Sequence, residues 1–143
     1  MSRRLRVQHW VACLETRVVP PAGPNNFYDL LKVGYTHTIP PDAEFPWELR
    51  RLDLFARFVG GMGSVDFEIP VVWLDAPNGA KTVETFGPVR VTFRPGESVR
   101  DVVFRFHNVP IEGTGRHRIS LRAVKPLRRQ SLKSEFLMLT RLP

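Results

Sequence analysis

The sequence predicts an all-β protein, a single antiparallel sandwich of two sheets and about eight strands. Three observations predict it. Apolar and polar residues alternate with a period of two over most of the chain, which is the repeat of a strand. Pro- and Gly-rich breaks recur between these stretches, at 20–26, 40–47, 60–63, 75–79, 94–97 and 110–115. No stretch holds a helical apolar spacing: the nearest, 45–54, starts with Pro46 and runs on into strand alternation. Strands punctuated in this way imply a sandwich, with a closed barrel as the competing architecture.

The first strand spans 5–19. Leu5, Val7, Val11 and Cys13 share one parity, and 10–14 is apolar on both. That pattern fits a strand buried on both sides, or one that bends from one sheet to the other. The second spans 27–39, with Phe27, Leu31, Val33, Tyr35 and Ile39 in its apolar row. The proline-punctuated crossing 40–47 carries Phe45 and Trp47, expected to plug an end of the core. The third strand, 49–59, turns Leu52, Leu54, Ala56 and Phe58 inward, and Asp53 and Arg57 outward.

The fourth strand, 65–74, puts Val65, Phe67, Ile69, Val71 and Trp73 on one face. Its Pro70 has no amide donor and asks for an edge or a bulge. Asn78-Gly79 is the strongest hairpin signal in the chain. The fifth strand, 81–93, is interrupted at Gly87-Pro88 and points Val89, Val91 and Phe93 inward. Next, 99–109 and 116–124 read as two strands of one hairpin, with Val102, Phe104, Phe106, Ile119, Leu121 and Ala123 on its inner side. Pairing them would set Arg105, His107, Arg118 and Arg122 together on the outer side. The last strand, 132–142, is apolar on both parities at 136–139, which suits a central strand or contact with another chain.

At 143 residues the chain makes one domain, 1–143, large enough to bury about two-thirds of its unfolded surface. With 43% apolar and 24% charged residues it is neither disordered nor membrane-spanning. The basic start is followed by Gln8, His9, Glu15 and Arg17, which break a signal-peptide pattern, so a cytoplasmic location is expected. Cys13 is the sole cysteine and reads as a small buried hydrophobe.

Charge is unevenly distributed. The net charge is +7. Between Gly113 and Ser134 lie seven basic residues and no acidic ones, and the rest of the chain holds 14 of each sign. Arg105, Arg118, Arg122, Lys125, Arg128, Arg129 and Lys133 are therefore the candidate interaction surface. Such a patch attracts anionic partners. A solvated face with no role is the competing reading.

No catalytic constellation appears. Gly60-Gly61-Met62-Gly63 lacks the Lys and helix of a phosphate loop. His9, His37, His107 and His117 fall on four strands, and alternation turns His117 inward and His107 outward, which gives no metal centre. Asp53, Asp66 and Glu68 are expected on one outer face, where Arg57 makes an ion-pair cluster the economical reading. Asp75–Asn78 offers too few oxygens for calcium. The expectation is thus no enzyme, no cofactor, no metal and no small-molecule substrate.

The order of motifs resembles an uncharacterised bacterial β-sandwich family, immunoglobulin-like or C2-like in type. The residues that carry the resemblance are Val7-Gln8-His9-Trp10-Val11-Ala12-Cys13, Leu31-Lys32-Val33-Gly34-Tyr35, Leu52-Asp53-Leu54-Phe55-Ala56-Arg57-Phe58, Asn108-Val109-Pro110 and Gly115-Arg116-His117-Arg118-Ile119. The resemblance implies a fold and no activity. The function expected is a non-enzymatic module that binds a protein, with self-association as one form. The alternative is an accessory subunit that holds nucleic-acid phosphate through 116–133.

Overall fold

The computed structural model describes residues 5–13, 15–19, 27–31, 36–96, 99–125 and 130–141. Over the described residues it is all-β, with ten strands: β1 (Arg6–Cys13), β2 (Glu15–Val19), β3 (Phe27–Leu31), β4 (Thr36–Ile39), β5 (Trp47–Val59), β6 (Gly63–Trp73), β7 (Lys81–Phe93), β8 (Val99–Ile111), β9 (Gly115–Lys125) and β10 (Gln130–Arg141). Eight of them form two sheets, one of three strands in the order β1-β5-β8 and one of five in the order β4-β10-β9-β6-β7. The predicted sandwich is the fold observed. Its ladders are antiparallel except β4–β10, which is parallel.

The alternating rows meet between the sheets. Leu52, Leu54, Ala56, Phe58 and Phe104 come from the small sheet; Phe67, Ile69, Val71, Ile119, Leu121, Leu137 and Leu139 from the large one. Phe58 lies against Phe67 with ring centroids 5.1 Å apart. Trp10 Nε1 donates to the Ile119 carbonyl at 3.1 Å, which ties the sheets together and satisfies the buried indole.

Several expectations are corrected. The first two strands each divide, because β2 and β3 pair as a separate two-stranded ribbon. The strand expected to continue through 32–35 lies there outside the described residues. Phe45 does not plug the core: it is exposed, with the Arg141 guanidinium 4.9 Å from its ring centre, whereas Trp47 packs on the core. Pro70 sits in an internal strand, between register shifts at Phe67/Ile69 and Val71/Val72. Pro70 itself stays in register with Thr85, and the extra residue at each shift falls on β7, so Pro70 is neither at an edge nor at a bulge of its own strand.

The largest correction concerns β8 and β9. They do not pair. β8 joins β5 in the small sheet and β9 joins β6 and β10 in the large one. The link between them crosses from sheet to sheet. Gly113 lets it pass over Trp73, since a Cβ there would lie 2.3 Å from the indole. Trp73 Nε1 donates to the Thr114 carbonyl at 2.8 Å and pins the crossing. Two strands with apolar inner rows look alike whether they pair side by side or face each other, so periodicity could not tell these cases apart.

Candidate interaction surface

The outer face of the large sheet is built from the off-phase residues of β9, β10 and β6. Arg118 is at its centre. Its ladder partners are Phe136 on β10 and Val72 on β6. One step away, Met138 partners Arg116. A step in the other direction, the Ser120 and Ser134 hydroxyls hydrogen-bond at 2.9 Å. The ring of Phe136 is 51% exposed. Leu137 and Leu139 fill the core from the same strand, and this is why apolar residues of both parities occur there.

Carboxylates neutralise part of the positive charge. Arg122 Nη2 donates to Glu68 Oε2 at 2.6 Å. Arg90 pairs with Asp66 at 2.9 Å. Arg90 holds the Asp66 carboxyl below its usual range, with a smaller contribution from Lys125. Arg116 grips Asp75 through its side chain and its backbone amide, and this lowers the Asp75 pKa to about 2. Among the described residues no carboxylate pairs with Arg118 or Lys133. This face therefore keeps a net positive centre beside an exposed aromatic ring.

The predicted surface residues do not form one patch. Arg118, Arg122, Lys125 and Lys133 lie on β9 and β10 of the large sheet. Arg105 lies on β8, on the outer face of the small sheet and so on the opposite side of the sandwich. There it binds Asp53 at 3.2 Å, together with Arg51 at 2.8 Å. Asp53 is fully buried despite its outward parity. Arg128 and Arg129 lie outside the described residues.

The expected cluster of Asp53, Asp66 and Glu68 is likewise split between the sheets, and Arg57 pairs with Asp101 instead, at 2.8 Å. His117 is buried and stacks on Trp73, while His107 is exposed on the other sheet. Among the described residues no group of three His, Cys, Asp or Glu could hold a metal ion. Among the described residues no helix is long and apolar enough to cross a membrane. Phe136 was absent from the sequence-predicted surface. Its signal was the apolar residue out of phase with Leu137 and Leu139.

No protein-family model and no curated protein matches the chain. Among solved structures it is similar to Spo0M, a sporulation control protein from Bacillus subtilis. The likeness covers 91% of this chain and 49% of that one, at 12% identity and a TM-score of 0.46. The chain thus spans about half the length of that structure, and at this distance the likeness carries no function across.

Proposed function

We propose that the chain is a non-enzymatic binding module of the cytoplasm whose partner is a protein with an acidic, partly apolar surface. The observation that carries this reading is the pairing of Arg118 with an exposed Phe136 across the β9–β10 ladder. Arginine and aromatic residues are enriched where proteins meet. A guanidinium beside a ring can bind a carboxylate while the ring covers apolar surface. The reading agrees with the family resemblance, which implies a fold without an activity.

Nucleic-acid binding is the second reading, and one feature favours it: Phe136 supplies a ring for base stacking next to a cation. Glu68, Asp66 and Asp75 weigh against it, because they pair with Arg122, Arg90 and Arg116 and leave this face few of the several free cations that a phosphate backbone engages. Fluorescence anisotropy at about 50 mM salt separates the two. A labelled peptide of alternating Glu and Phe should bind, and weaken on Phe136→Ser and on Arg118→Glu. A labelled DNA or RNA strand that binds instead, and is released by Arg118→Glu, overturns the protein reading.

A further inference from the structure

The open edges of the two sheets differ in how they are protected. β4 is only four residues long. β1 has a register shift between Val7 and His9. β7 is broken by Gly87-Pro88, opposite the shift between Phe67 and Ile69. Short strands, bulges and prolines are the usual guards against pairing with another chain. β8 has none of them over 99–107: it keeps unbroken register with β5, and its proline, Pro110, comes later. Among the described residues no strand pairs with its other edge.

We propose that this edge pairs with the same edge of a second copy, antiparallel, about a two-fold axis at Val103. The register follows from charge. An axis at Val103 sets Asp101 opposite Arg105 of the second copy, and Arg105 opposite its Asp101. Opposite charges placed directly across a ladder attract. Each residue already has a partner on the neighbouring strand: Arg57 donates to Asp101 at 2.8 and 3.0 Å, and Arg105 to Asp53 at 3.2 Å. The dimer would extend these pairs into two rows of alternating sign across four strands, Arg57, Asp101, then Arg105 and Asp53 of the second copy.

The inner face fits as well. Val102 would meet Phe104 of the second copy. Beside β8 a cleft of about 420 Å³ opens toward β7, lined by Val89, Val91, Val102, Phe104 and Phe106 among others. A strand added to β8 would close its mouth. Such a contact is isologous, as a two-fold dimer requires. It uses the small sheet and is independent of the Arg118–Phe136 face.

Light scattering after size exclusion tests this. The wild-type chain should approach twice its 16.4 kDa mass as concentration rises. Asp101→Arg or Arg105→Asp alone sets like charges across both ladder positions. Each should weaken dimerisation on the order of a hundredfold. An equimolar mixture of the two variants should restore the dimer, because basic residues of one chain then face acidic residues of the other. Val103→Lys, which touches neither ion pair, should also give monomers and serves if a charge variant fails to fold by circular dichroism. Phe136→Ser should leave the dimer intact. A wild-type monomer at the highest soluble concentration overturns the proposal. So does a dimer that survives Val103→Lys, or a pair of folded charge variants whose mixture stays monomeric.

Discussion

Arg118 and Phe136 are direct partners across the β9–β10 ladder, a guanidinium with no carboxylate paired to it among the described residues and a ring 51% exposed. Neither is needed by the core. Arg118→Ala and Phe136→Ser should each change unfolding free energy by less than about 1 kcal/mol, as surface substitutions do. Urea denaturation measures this. A loss of several kcal/mol would make the pair structural rather than a binding feature.

Asp53 should show a marked asymmetry. Its carboxylate is fully buried, but the guanidiniums of Arg51 and Arg105 are 29% and 44% exposed. Asp53→Ala leaves two cations that can rehydrate, at a cost of about 1–3 kcal/mol. Arg51→Ala with Arg105→Ala takes two guanidiniums away from a carboxylate that stays buried and should cost more, about 3–5 kcal/mol. Equal losses in a denaturation series would contradict this account of the cluster.

His117 makes stability depend on pH. It is buried, and desolvation pushes its pKa below the usual 6.5, against smaller upward pulls from the Gly115 carbonyl and Asp75. Between the unfolded value and the lowered folded one, the unfolded chain binds more protons. The stability this neutral ring contributes is present above about pH 6.5 and is lost as pH falls below it. His117→Leu should remove that slope from melting curves taken between neutral and mildly acidic pH.

Gly113→Ala tests the crossing from β8 to β9. The new methyl would overlap the Trp73 ring and displace the hydrogen bond from Nε1 to the Thr114 carbonyl. Overpacking of this kind costs about 1–3 kcal/mol. Gly79→Ala gives a contrast in denaturation experiments. No atom lies within 4 Å of its new Cβ, and only the strain of φ 101° opposes it.

The strand set and the core rows were legible because alternation survives in the sequence, and Leu52, Leu54, Phe67 and Ile119 all point where the period places them. Sheet membership was not legible. Arg105 and Arg118 share a parity relative to their own cores, yet nothing local records that β8 and β9 belong to different sheets. The burial of Asp53 was hidden for a related reason: parity tells which way a side chain points, not what covers it. The charge count exposed the basic segment but not its ion pairs, since Glu68 and Asp75 come from β6 and the turn after it. Phe136 could be read only as an apolar residue out of phase.

The central claim is that the Arg118–Phe136 face binds a protein. Its most direct test is photo-crosslinking in living cells of the producing organism, with p-benzoylphenylalanine placed at Phe136 and, as a control, at Met62, which is 69% exposed in the β5–β6 turn. The account predicts a discrete protein adduct from position 136 that is absent from position 62 and lost when Arg118→Glu is added. Identical adduct patterns from the two positions, or adducts with nucleic acid alone, would contradict it.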